Sequence, residues 1–174
     1  MQIHVQTPAA ELLIDPFRER RKGFVVRRAE PADMPELQRM AQAFHAAWRY
    51  AERAPIDLDA FASTVANLAT NPAGVVLVAD NGNGLCGMAA ATATRHWFNA
   101  KHITGQELFW WADESARGTG AGFALLGGLE DWARSVGCQT FMMVSTVNLA
   151  PEKLAKVYKR RGYVPCDIQY LRSL

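Results

Sequence analysis

An α/β (α+β) fold, with a mixed, mostly antiparallel central sheet and helices on both faces, is what this sequence predicts. Three observations carry the prediction. Short β-rich runs interleave with amphipathic runs in the order β, α, α, β, β, β, α, β, α, β. The turn Asn81-Gly82-Asn83-Gly84 joins two apolar runs and makes them an antiparallel hairpin. The strongest helical stripe, Gly120 to Val136, stands between two strand-like runs and puts a strand, helix, strand unit near the centre of the sheet.

The chain is long enough for one ordinary core. Its 174 residues are 49% hydrophobic and 21% charged, sufficient to bury roughly 70% of the unfolded surface without staples. Nineteen Lys and Arg against 17 Asp and Glu leave +2, too balanced for a nucleic-acid or membrane partner held by bulk charge. Any anion must therefore be caught locally. Cys86, Cys138 and Cys166 form no CxxC pair, which predicts no metal site and a reducing, cytoplasmic setting. The first residues lack a signal peptide's basic start, and no apolar run reaches the roughly 18 residues of a membrane span.

Residues 1–23 have weak periodicity and end in the basic cluster Arg18 to Lys22, which reads as an appendage to a domain over 24–174. Phe24 to Arg28 is the first strand. Asp33 and Glu36 have capping-box spacing ahead of Leu37, Met40, Ala41, Phe44, Ala47 and Trp48, one face of a helix. Asp57 caps a second helix, on which Leu58, Phe61, Val65 and Leu68 recur before the breaker Asn71-Pro72. Gly74 to Asp80 and Leu85 to Thr94 are the arms of the hairpin. Arg95 to Gly105 has no clear period and reads as a functional loop, followed by a strand over Gln106 to Ala112. After the long helix, stopped by Gly137, come a strand over Gln139 to Ser145, a helix from Pro151 to Arg161 and a last strand from Tyr163 to Leu171.

Chemistry concentrates in Arg117-Gly118-Thr119-Gly120-Ala121-Gly122, at the start of the long helix. Alternate glycines let the backbone turn tightly beside a ligand, while the helix start presents unsatisfied N–H groups and a positive dipole end. Together these make an anion cradle. A Walker loop would need Lys and Ser or Thr where Phe123 and Ala124 stand, and a dinucleotide fingerprint would need glycine at 123.

With Arg117, Gly120 and Gly122 in that spacing, the chain resembles the GNAT-type N-acetyltransferases, whose cofactor motif reads Gln or Arg, two residues, Gly, one residue, Gly or Ala. Tyr158, Gly162 and Tyr163 match a second signature near the end, so the resemblance spans about residues 24–171. It implies a GNAT-like acyl-CoA N-acyltransferase fold and acetyl-coenzyme A (acetyl-CoA) as co-substrate. By that resemblance the pyrophosphate lies on the amides of Gly118, Thr119, Gly120, Ala121 and Gly122 beside Arg117. The pantetheine arm follows Trp110, Trp111 and Ala112. The family's asparagine has its nearest counterpart in Asn148, ten residues before Tyr158 across a longer loop, and this makes Asn148 a cofactor contact.

Two strands splayed by a bulge leave backbone groups to which an amide-bearing arm can add itself. Transfer to an amine then needs a base, a polarised carbonyl and an acid near the leaving sulfur. Tyr158 is the candidate acid. Glu107 is the candidate base, although a one-residue register shift would present Gln106 instead, and His96 and His102 are alternatives. Trp97, Phe98, Trp110 and Trp111 supply aromatic surface around the acceptor, with Trp48 and Tyr50 as its other wall.

The leading expectation is acetyl transfer from acetyl-CoA to a primary amine, whether a small amine, a peptide amino terminus or a lysine, with no metal, nucleic acid or membrane involved. The resemblance is compatible with a monomer or a homodimer. A rival from a different class is a non-catalytic acyl-CoA-binding sensor of the same fold. A third reading is an interaction module built on the basic amino-terminal segment.

Overall fold

The computed structural model describes residues 19–21 and 23–173, the side chains of 19–21, 49 and 50 excepted. Six strands and four helices follow in the order β1 (Glu19–Arg21), β2 (Phe24–Arg28), α1 (Met34–Ala47), α2 (Leu58–Thr70), β3 (Gly74–Asp80), β4 (Leu85–His96), β5 (Asn99–Ala112), α3 (Ala121–Ser135), β6 (Thr140–Met142) and α4 (Pro151–Arg160). The strands lie in one sheet in sequence order. Every neighbouring pair is antiparallel except β5 and β6, which are parallel and joined through α3.

Alternation along β3 divides the core into two layers. Val75, Leu77 and Ala79 face α3, where Leu125, Leu129 and Trp132 are wholly buried, while Val76 and Val78 face Leu37 and Met40 of α1 and Val65 and Leu68 of α2. A central strand buried on both faces reads as an unbroken apolar run, which is why GVVLVAD shows no polar residue before its end. Helix α3 lies close to the sheet: a Cβ on Gly128 would stand 2.9 Å from Leu77 Cδ1 and 3.1 Å from Val26 Cγ1.

Asp57 caps α2 as expected, accepting from the N–H groups of Asp59 (3.0 Å) and Ala60 (2.9 Å). Asp33 does something else. Its carboxylate takes both Arg27 nitrogens, at 2.6 and 2.8 Å, and the N–H of Glu30 at 2.8 Å, so it locks the end of β2 to the start of α1. The capping box is Glu30 with Asp33, one turn earlier than the Asp33 and Glu36 spacing suggested.

Two expectations are corrected. Arg95 to Gly105 is no loop: β4 runs to His96 and β5 starts at Asn99, with Trp97 and Phe98 forming a two-residue turn. This arm projects with much of its surface exposed, so it lacks the burial alternation by which a strand is recognised. Tyr163 to Leu171 has strand-like alternation but forms no strand, and Val164, Ile168 and Tyr170 are exposed. Strand preference is realised only through a paired neighbour, and among the described residues no ladder partner meets this segment. Of the expected appendage over residues 1–23, Glu19–Arg21 pairs with β2 as an edge strand, while residues 1–18 and 22 lie outside the described residues.

Candidate active site

The site begins where two parallel strands part. β6 pairs with β5 only over Thr104, Gly105 and Gln106, so β5 runs on from Glu107 to Ala112 with no strand on that side. On its other side β5 carries a bulge: Ala90 opposes Phe109 and Ala91 opposes Glu107, leaving Leu108 as the extra residue. The fork opens a cleft of ≈ 950 Å³, closed on its far sides by the carboxyl end of α1, the loop before α3, the residues after β6 and helix α4.

One half of the cleft is the glycine loop. Gly118 (φ 80°) and Gly120 (φ 113°) sit in the left-handed region, which a side chain would resist, and Gly120 is the N-cap of the 15-residue helix α3. No side chain caps that helix and no acidic residue occupies its first turn, so the loop presents the positive end of the dipole to the cleft. Arg117 lines the same mouth. Its Nε donates to Ala112 O (3.2 Å) and its guanidinium lies 4.5 Å from the centroid of Trp111, pinning the loop to the end of β5. Trp110 Nε1 donates to Gly122 O (3.0 Å), and a Cβ on Gly122 would stand 3.3 Å from the Trp110 ring. Lys153, on α4, is the second cation of the cleft.

At the apex of the fork stands Glu107, only 6% exposed. Its Oε2 accepts from Val144 N–H (2.9 Å), a hydrogen bond that fastens the departing chain beyond β6 to β5. Burial pushes this carboxyl up to about 7, against the opposing pull of that hydrogen bond. From the other side Tyr158 donates its hydroxyl to Val144 O (2.8 Å). Burial and then the charge of Glu107 raise its phenol, which stays protonated. Glu107 and Tyr158 therefore grip the two ends of one residue; Glu107 lines the cleft, whereas Tyr158, the expected acid, is not among its lining residues and has its ring beside Trp110 and Tyr163.

The Tyr158-x-x-x-Gly162-Tyr163 signature also anchors α4. Gly162 turns with φ 86°, and Tyr163 then reaches Glu130 of α3 (3.1 Å), whose carboxylate is also held by Arg161. The other half of the cleft is aromatic. Phe44 and Trp48 are stacked, with centroids 5.9 Å apart and planes 1° from parallel, and Phe44 packs on Trp111 at 5.6 Å.

Of the residues singled out from sequence, Glu107, Trp110, Trp111, Ala112, Arg117, Gly118, Thr119, Gly120 and Gly122 line one cleft, with Ala121 buried behind them. Asn148 is placed elsewhere: its Nδ2 donates to Ala47 O (2.6 Å), tying the loop after β6 to the end of α1 rather than reaching the glycine loop. Trp97 and Phe98, 87% and 90% exposed, form the tip of the β4–β5 arm beside His96 and His102, and none of the four lines the cleft. Of the expected pair on the other wall, Trp48 lines the cleft and the side chain of Tyr50 lies outside the described residues. Sequence reasoning missed Phe44, Val144 and Lys153. Phe44 was within reach, because residues four apart on a helix share a face, whereas Val144 joins only through the tertiary fork. Among the described residues no group of three or more His, Cys, Asp or Glu could hold a metal ion, and no helix is long and apolar enough to cross a membrane.

The sequence model of the Acetyltransferase (GNAT) family matches residues 36–163. Comparison with curated proteins finds no match. Among solved structures, an acetyltransferase from Trypanosoma brucei superposes with a TM-score of 0.66 at 21% identity, covering 87% of this chain and 99% of that one. AAC(6')-Iy, solved in complex with the bisubstrate analog CoA-S-monomethyl-acetylneamine, gives 0.69 at 14% identity, covering 87% and 98%. Glucosamine-6-phosphate N-acetyltransferase from Arabidopsis thaliana gives 0.64 at 16% identity, covering 86% and 97%. At these identities the likeness is one of fold.

Proposed function

The chain belongs to the GNAT acetyltransferase family, and from that premise we propose that it transfers an acetyl group from acetyl-CoA to a primary amine by direct attack within the cleft between β5 and β6. The observation that carries this reading is a buried carboxyl, Glu107, raised to about 7 at the apex of a cleft whose other end is an uncapped helix start with glycines in the left-handed region. The residues present fit acetyl-CoA. The amides from Gly118 to Gly122, with Arg117 and Lys153, suit a pyrophosphate. The backbone of Trp110 to Ala112, paired to β4 on one side and beyond the reach of β6 on the other, suits the amides of a pantetheine arm.

When bound, acetyl-CoA supplies an activated acyl thioester. Glu107 takes one proton from the acceptor ammonium, which leaves a neutral nitrogen able to attack. As the nitrogen–carbon bond forms, the carbon–sulfur bond breaks. Tyr158 releases Val144 O and gives its hydroxyl proton to the sulfur, regaining one from the second N–H of the amine. Glu107 returns its proton to solvent, so the balance is acetamide, free thiol and one proton.

A carboxyl near 7 is half ionised at neutral pH, which suits a base that must be regenerated at each turnover. In amine-dependent thiol release, kcat/KM therefore rises with pH through about 7 and then levels. Glu107→Gln loses this step and about a hundredfold or more in rate. A wild-type profile flat from pH 5.5 to 8.5, or an undiminished Gln variant, would remove Glu107 from the chemistry.

A second reading has one observation in its favour: the Tyr158 hydroxyl is engaged with Val144 O. It is an acyl-CoA-binding sensor without turnover. Acetyl-CoA binding with no thiol release from any amine would support it.

A further inference from the structure

The acceptor half of the cleft has a composition that selects among amines. Glu107 is the one carboxylate among the described residues that line the whole cleft, and the other charged groups of the lining, Arg117 and Lys153, are the cations assigned above to the pyrophosphate. Around Glu107 the lining includes the Phe44–Trp48 stack, Leu108, Thr146 and the neutral amide of Gln106. We infer that the acceptor is a small primary amine with a flat, apolar body and no second positive charge. The inference rests on the acetyltransferase reading and names the substrate class for it.

Each ammonium taken out of water needs a carboxylate or an open aromatic face to offset its desolvation. Glu107 serves the reacting nitrogen, and because its carboxyl titrates near 7 it is no fixed anion for a second one. Trp111 gives little help, because it already holds the guanidinium of Arg117 at 4.5 Å, where another cation would be repelled. A polyamine or an aminoglycoside would thus bring several ammonium groups to a single carboxylate.

The Phe44 and Trp48 rings favour a planar apolar body, which can extend the parallel stack along the exposed part of the wall. Asn148 adds a limit on length. Its hydrogen bond to Ala47 O (2.6 Å) joins the loop after β6 to the carboxyl end of α1, next to Trp48. Two walls are tied at the far end, and a compact molecule suits the space better than a peptide passing through.

The test is free-thiol release from saturating acetyl-CoA with 2-phenylethylamine, spermidine, kanamycin and a short peptide with a free amino terminus, together with calorimetric titration of acetyl-CoA. The expected result is a kcat/KM for 2-phenylethylamine at least about tenfold above each of the others. Trp48→Ala is expected to raise KM for 2-phenylethylamine about tenfold while leaving acetyl-CoA affinity unchanged. Thr146→Asp, which adds a fixed carboxylate to the lining, is expected to improve spermidine relative to 2-phenylethylamine. Bound acetyl-CoA with faster turnover of spermidine, kanamycin or the peptide would overturn this inference and leave the transferase reading standing. Failure to bind acetyl-CoA would overturn both.

Discussion

As the proposed base, Glu107 serves two needs that pull in opposite directions. Its burial keeps the carboxyl near 7, useful to a base, yet ionising it in the folded protein costs stability. The folded state holds a proton that the unfolded chain releases in the ordinary carboxylate range, so wild-type stability falls as pH rises from that range to about 7 and stays lowered above it. Gln can keep the hydrogen bond from Val144 N–H without the charge. Glu107→Gln is therefore expected to be inactive but more stable than wild type at pH 8, by on the order of 2 kcal/mol, with the gap closing towards pH 5. Denaturant unfolding at the two pH values measures it, and a gap independent of pH would mean the carboxyl ionises as freely folded as unfolded. Tyr158 makes a different prediction. Tyr158→Phe should slow turnover about a hundredfold with acetyl-CoA affinity nearly intact, the pattern of a group used in the transition state. An unaltered rate would leave the hydroxyl a clamp on Val144 only.

Among the elements, the junction of β2 and α1 shows how a polar contact can set a frame. The Arg27 guanidinium, aided by the N–H of Glu30, holds the Asp33 carboxyl below the usual carboxylate range against the cost of burial. A depressed carboxyl stabilises the fold above its unfolded value and is lost as pH falls through the folded one, so this contribution disappears only in acid, below about pH 4. Asp33→Ala should cost about 3 kcal/mol at pH 7, because Arg27 is left partly buried and unpaired, and the deficit should shrink as the solution is acidified. A loss under about 0.5 kcal/mol at neutral pH would show that the junction is held by apolar packing alone.

The same elements show what a sequence can reveal. Periodicity located the helices to within a residue or two, because apolar side chains spaced three and four apart fall on one side of a helix and on both sides of a strand. The central strands stood out by their unbroken apolar runs. The glycine loop was legible for a local reason: its conformation is written in its own residues. The β4–β5 arm was not, since exposed strands carry no burial pattern. The last strand was expected from residues that do alternate, but a ladder needs a neighbouring edge, and this is a tertiary fact. Whether Glu107 or Gln106 stands at the apex could not be read either, because it turns on the bulge at Leu108.

On the scale of the whole molecule, a net charge of +2 gives no long-range attraction to a polyanionic ligand, so capture must come from geometry. The fold provides it by parting two parallel strands and pinning the opening from several directions. Arg39 of α1 pairs with Asp113 just past β5 (2.6 Å), Asn148 ties the loop after β6 to α1, and Arg161 and Tyr163 fix the end of α4 to Glu130 of α3. Glu107 sits at the apex and the glycine loop at the mouth, with α3 linking β5 to β6 across the fork. Calorimetric titration of acetyl-CoA into wild type and into Gly120→Asp tests this arrangement most directly. Wild type is expected to bind one molecule per chain, and a side chain at φ 113° with a negative charge at the helix start should abolish that binding. Undiminished affinity in the variant, or no binding to wild type, would contradict it.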